Sequence, residues 1–158
     1  YIIAPQAQSK FYIAPKMKHI GACWLTKENT KKETNNVINY FNEIFANENI
    51  PSSCNLILLG FSQGVSVITR FIAKSGIKFN KLIVYAGKIP TELSKNDFKH
   101  IDNKSKVYLV YCANDLYIDE KTVNLEKKKA KNLFNNISTI NFDIAHEINA
   151  SIVNQLPV

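Results

Sequence analysis

The chain is nearly without arginine, has cysteines too few and too scattered for a disulfide framework, and lacks any long apolar stretch. Each scarcity closes off a class of protein. Arg70 is the only arginine among 20 basic residues, so the net charge of +7 is almost entirely lysine. Nucleic-acid surfaces favour guanidinium forks and interleaved aromatic residues. Here the lysines are spread along the chain, which reads as a solvated surface, and no nucleic-acid partner is expected. Cys23, Cys54 and Cys112 are odd in number and show no C-x-x-C spacing, so neither a disulfide set nor a zinc site is indicated, and reduced, mostly buried thiols are expected. No apolar run approaches the roughly 18 residues of a membrane span, and none is expected. There is also no initiator Met and no charged-then-apolar leader. Tyr1 falls in the middle of what reads as a strand, and the chain is taken to be a fragment. Repeats, linkers and low-complexity segments are missing as well, so residues 1–158 are read as a single domain.

What is present suffices for a core: at 158 residues a domain buries roughly two thirds of its unfolded surface. Short apolar runs occur at Tyr1–Ala4, Leu56–Leu59, Lys81–Ala86, Lys106–Tyr111 and Ile137–Phe142. Runs such as Leu56-Ile57-Leu58-Leu59 and Leu82-Ile83-Val84-Tyr85 are too continuous for half-exposed strands, and they predict strands covered on both faces, as in a parallel sheet. Helical spacing appears between them, in Val37, Ile38, Phe41, Ile44 and Phe45, then in Val67, Ile68, Phe71 and Ile72, and more loosely in Val123, Leu125, Leu133 and Phe134. The alternation predicts an α/β fold with a parallel sheet, helices on both faces, and a last helix from about His146 to Gln155. Gln6–Leu25 is the longest non-periodic segment and is read as a loop rich in aromatic residues.

Gly60-Phe61-Ser62-Gln63-Gly64 matches G-x-S-x-G. A buried strand runs directly into it and an amphipathic helix runs out. Such a turn strains the backbone at the serine, and Gly60 and Gly64 are expected to relieve collisions on either side. Ser62 would then stand above the carboxyl edge of the sheet as a nucleophile, with the backbone N–H of Gln63 facing any developing oxyanion. A serine needs a base. His19 lies in the aromatic loop and His100 in a charged, exposed-looking stretch, whereas His146 follows the last strand and is the expected base. The expected acid is Asp115, in the loop after the strand at Lys106–Tyr111, in the chain order Ser, acid, His. Asp97 and Asp102 precede that strand, Asp119 reads as the start of a helix, and Asp143 is awkwardly near His146.

With these residues in place the chain resembles the α/β-hydrolase carboxylesterase and phospholipase family, the branch that includes acyl-protein thioesterases. The resemblance is carried by Ile2-Ile3-Ala4-Pro5, Gly21-Ala22-Cys23-Trp24-Leu25, the Gly60–Gly64 elbow, Asn114-Asp115-Leu116-Tyr117-Ile118 and His146-Glu147-Ile148. It implies a nucleophile at Ser62, an acid at Asp115, a base at His146 and one oxyanion donor at Gln63. It also puts Trp24 and Leu25 near the substrate pocket, with Phe61 and Ile118 as further pocket candidates. Cys112 and Ile144-Ala145 stand where the family often has glycine. The family's H-G-x-G-like loop, source of a second oxyanion donor, has no counterpart in this sequence. The fragment is therefore expected to lack the strand between Tyr1–Ala4 and Leu56–Leu59, leaving a slot of roughly 10 Å or a re-paired sheet, and to turn over weakly by itself.

The expected function is cleavage of a small-molecule or acyl-group ester, or a thioester, through an acyl-enzyme on Ser62. No metal or organic cofactor is called for. Oligomeric state is not readable. The alternatives are a non-catalytic ligand-binding protein, or a peptidase or lipase, of the same fold.

Overall fold

Apolar runs become strands only where a neighbour supplies hydrogen bonds, and four of the five runs find one. In the computed structural model, which describes residues 1–156, the chain falls into two units, Tyr1–Glu48 and Asn49–Val158. The second holds β3 (Ile57–Phe61), β4 (Lys81–Tyr85), β5 (Lys106–Cys112) and β6 (Ile137–Phe142), all parallel and hydrogen-bonded in that order. The two central strands are covered on both faces: Leu82, Ile83, Val84 and Tyr85 of β4, with Val107, Leu109 and Val110 of β5, are buried. The edge strand β3 corrects the sequence reading. Leu58 is buried there, but Ile57 and Leu59 are exposed. Apolar continuity states what a strand is able to bury; its rank in the sheet decides what it does bury.

Crossovers connect these strands. Helix α2 (Gln63–Ser75) follows β3 and buries Val65, Val67, Ile68, Phe71 and Ile72, each contributing roughly 1.5–3 kcal/mol by removal from water. It ends at Gly76, whose φ of 68° gives the left-handed cap that returns its N–H to the Ile72 carbonyl. Helix α3 (Glu120–Leu133) links β5 to β6, capped by Asp119 on the Thr122 N–H at 2.8 Å. Its buried positions are Glu126, Ala130 and Leu133, one helical stripe, and Leu125 is exposed. The loose apolar spacing in the sequence did not mark that stripe, because a carboxylate heads it. The last helix, α4, covers only Ala150–Val153 instead of starting near His146. Asn149 caps it by accepting from the Ser151 N–H, so residues 146–148 stay outside the helix.

The first unit holds β1 (Ser9–Tyr12), β2 (Ile20–Cys23) and α1 (Thr30–Glu48). The segment read as a loop is thus a hairpin: β1 and β2 pair antiparallel, with Phe11 opposite Gly21. A side chain on Gly21 would strike the Phe11 ring, Cβ to Cζ 2.7 Å, so the glycine lets the ring cover its backbone. Tyr1–Ala4, read as a strand, forms none, and Tyr1 and Ile2 are fully exposed. β-prone side chains do not make a strand without a partner edge. Among the described residues the outer edge of β3 pairs with no strand. In α1, Val37 and Phe41 are buried, and Trp24 meets the Phe41 ring edge-on at 5.3 Å.

Candidate active site

The turn from β3 into α2 holds a non-glycine residue at positive φ. Ser62 has φ 52° and ψ −119°, a conformation that costs a non-glycine residue roughly 1–3 kcal/mol and persists only when its surroundings impose it. Its N–H donates to the Tyr85 carbonyl at 2.9 Å, and its carbonyl accepts from Val65. A Cβ on Gly60 would lie 2.6 Å from the Gly64 carbonyl oxygen and 2.7 Å from Ile68 Cγ2, so only glycine fits. Gly64 differs from the expectation: a Cβ there meets nothing within 4 Å. Its role in the turn is to supply the backbone against which Gly60 packs.

Ser62 stands at the N-terminus of α2, yet its side chain makes no cap hydrogen bond. The hydroxyl turns to His146 instead, with Oγ 2.9 Å from Nε2. On the other side of the ring, Nδ1 lies 2.7 Å from Asp115 Oδ2. The second carboxylate oxygen accepts from the backbone N–H groups of Tyr117 at 2.7 Å and Ile118 at 3.1 Å. A carboxylate accepts, so Nδ1 carries the ring proton and Nε2 is left as the acceptor for the Ser62 hydroxyl. The Asp115 side chain is 1% exposed and that of His146 15%, which shields the acid from water while leaving the imidazole accessible.

Parallel strands deliver these residues. Beyond β4, β5 and β6 the sheet ladder continues into the loops: Ala86 N–H bonds Val110, Ala113 N–H bonds Phe142, and Asn114 N–H bonds Ile144. Asn114 Nδ2 also donates to Asp143 at 2.9 Å, tying the Asp115 loop to the His146 loop. Of the other acids considered, Asp143 is held by that bond and Asp119 by its capping role. The imidazole is packed between Phe61, with ring centroids 4.9 Å apart, and Tyr117, edge-on at 4.9 Å. Tyr85 fixes the backbone after it, donating from its hydroxyl to the Glu147 carbonyl at 2.9 Å.

A cavity of about 290 Å³ opens over Ser62 and His146, walled by Gln63, Ser66, Gly87, Lys88 and Ile118 among others. Ile118 thus lines it, Phe61 lies against the imidazole, and Trp24 and Leu25 belong to the first unit. Sequence reasoning missed Gly87. A Cβ there would sit 2.3 Å from the Ser62 carbonyl oxygen and 2.5 Å from Val65 Cγ2, so the loop after β4 presses directly on the elbow. A glycine immediately after the strand next to the nucleophile strand was the available signal. Among the described residues no cluster of three or more His, Cys, Asp or Glu side chains could hold a metal ion.

A family model described as phospholipase/carboxylesterase matches residues 23–156. No curated protein matches the chain in sequence. Among solved structures, YahD with malic acid is 17% identical with a TM-score of 0.59, covering 79% of this chain, which in turn spans 59% of YahD's length. Acyl-protein thioesterase 2 of Zea mays is 14% identical over 96% of this chain and 76% of its own, TM-score 0.65. A phospholipase/carboxylesterase from Dyadobacter fermentans is 16% identical over 90% and 72%, TM-score 0.61. At such identities the likeness shows the fold, an α/β-hydrolase-like parallel sheet.

Proposed function

The chain belongs to the phospholipase/carboxylesterase family, and from that premise we propose that it is a serine hydrolase acting on a carboxylic ester or thioester through an acyl-enzyme on Ser62. One observation carries the reading: the unbroken hydrogen-bond path from Ser62 Oγ through both nitrogens of His146 to Asp115. His146 Nε2 takes the hydroxyl proton as Oγ attacks the carbonyl carbon. Asp115 holds the ring in the required tautomer and balances the imidazolium. Nδ1 keeps its proton throughout. The tetrahedral oxyanion faces α2, with the Gln63 backbone N–H as its donor. Collapse passes the Nε2 proton to the leaving alcohol or thiol, and a water deprotonated by the same nitrogen then cleaves the acyl-enzyme. The product acid leaves and Ser62 regains its proton.

The substrate is a small-molecule or acyl-group ester, a class consistent with the thioesterase and carboxylesterase names of the structural neighbours. A cavity of about 290 Å³ at the lower end of ordinary ligand-site volumes suits a compact acyl group. A fluorophosphonate, which phosphonylates activated serines, tests the assignment. The expected result is a single adduct on Ser62 that disappears in Ser62→Ala and His146→Ala. Folded protein that takes up no adduct would overturn it.

A further inference from the structure

We propose, resting on Ser62 as the nucleophile, that Glu126 and Lys129 of α3 are a positioning pair that holds the cavity wall at residues 86–89 against the elbow. Glu126 is 4% exposed, and a buried carboxylate is tolerated only when paired and hydrogen-bonded. Its bonds converge on Ile89, one directly and one through Lys129. Oε2 accepts from the Ile89 N–H at 2.8 Å, Oε1 accepts from Lys129 Nζ at 2.7 Å, and Lys129 Nζ donates to the Ile89 carbonyl at 2.6 Å. Both backbone polar groups of Ile89, itself 1% exposed, are thus held by two side chains a single helical turn apart.

The other end of the segment is fixed by the sheet, through Ala86 N–H to the Val110 carbonyl at 2.8 Å. Ala86 has φ 44°, a left-handed conformation that an alanine keeps only under restraint. Between the two anchors lie Gly87, packed on the Ser62 carbonyl, and Lys88, which lines the cavity. A buried ion pair is a poor source of stability, since apolar side chains of the same volume commonly do as well. An apolar pair, however, could not grip a backbone N–H and carbonyl. The pair is thereby explained by where it puts the chain, and its effect reaches the reaction through Gly87 and the posture of Ser62.

The test compares Glu126→Asp, which keeps the charge but shortens the reach, with Glu126→Gln, which drops the charge but keeps an acceptor for Ile89. Lys129→Met provides a third variant that releases the Ile89 carbonyl. The readouts are the limiting rate and half-saturating concentration of fluorophosphonate labelling at Ser62, with hydrogen exchange at the Ile89 amide, all in protein shown to be folded. Glu126→Asp is expected to slow the limiting rate at least about tenfold, the scale on which small displacements near a reacting centre act, and to speed Ile89 exchange. Lys129→Met should also slow it, and Glu126→Gln should fall between the parent and Glu126→Asp, because its amide oxygen still accepts from Ile89 while its NH2 group cannot accept from Lys129 Nζ. Folded Glu126→Asp protein that labels at the parent rate, with only its melting temperature lowered, would overturn the proposal. So would folded Lys129→Met protein that labels at the parent rate with unchanged Ile89 exchange. Failure of the parent to label while Ile89 exchange still responds as expected would instead locate the fault in the Ser62 reading.

Discussion

A serine at a helix start ordinarily turns its hydroxyl back to the helix, and Ser62 gives up that bond to reach His146. The strain of its backbone is therefore not repaid locally; it is imposed by Gly60, Gly87 and the Tyr85 carbonyl. Two substitutions separate these supports. Gly87→Ala puts a methyl 2.3 Å from the Ser62 carbonyl oxygen, and is expected to lower the melting temperature and to depress Ser62 labelling together. Gly64→Ala adds a methyl to open space in the first turn of α2 and should leave stability unchanged or raised by up to about 1 kcal/mol, because alanine favours a helix over glycine. Thermal melts of the two variants side by side decide the matter. At Asp115, replacement by Asn keeps the shape but offers Nδ1 an amide in place of a carboxylate. Labelling of Ser62 is expected to slow by about three to four orders of magnitude, the usual cost of losing the correct tautomer. A drop of only a few-fold would show that the ring is oriented by Phe61 and Tyr117 alone.

Among the elements, β5 and α3 carry more than their sequences announce. β5 presents Tyr111 to the interior, and its buried hydroxyl has no hydrogen-bond partner among the described residues. Burial first, and then the negative charge of Glu126, push that hydroxyl's pKa well up. An unpaired buried hydroxyl costs about 1–3 kcal/mol, so Tyr111→Phe is expected to hold or gain stability, seen as an equal or higher urea midpoint at unchanged slope. A clear loss would mean that the hydroxyl has a bound partner. The elements also show what patterning conveys. Continuous apolar runs placed β4 and β5 well because both strands are buried on two faces. The same rule overstated β3, which lies at an edge, and missed the hairpin at Ser9–Cys23, whose short strands show no clean alternation. Residues 146–148 look helical by composition, yet they stay outside the helix, with the Glu147 carbonyl held by Tyr85.

At the scale of the whole molecule, two buried phenols are expected to weaken the fold at alkaline pH. Tyr85 is pushed up to about 12, chiefly by burial and next by the neighbouring Cys112, and Tyr111 moves the same way. In the unfolded chain both ionise near pH 10. Between those values the unfolded state holds fewer protons than the folded one, so stability falls as pH rises. It is fully present below about pH 10 and is lost toward pH 12, and urea midpoints measured across that window should decline steeply. A flat profile there would contradict the burial of these two side chains.

The sequence by itself determined the class of architecture, the four parallel strands and the choice of Ser62, Asp115 and His146 as residues to watch, because strand continuity, the Gly60–Gly64 turn and chain order are local or ordinal properties. Only the tertiary structure decided that Tyr1–Ala4 joins no strand among the described residues, that Gly87 presses on the elbow, and that Glu126 and Lys129 meet at Ile89. Each of these depends on which segments lie side by side, and residues 37 positions apart, such as Glu126 and Ile89, come together through the packing of the fold and not through any periodicity along the chain.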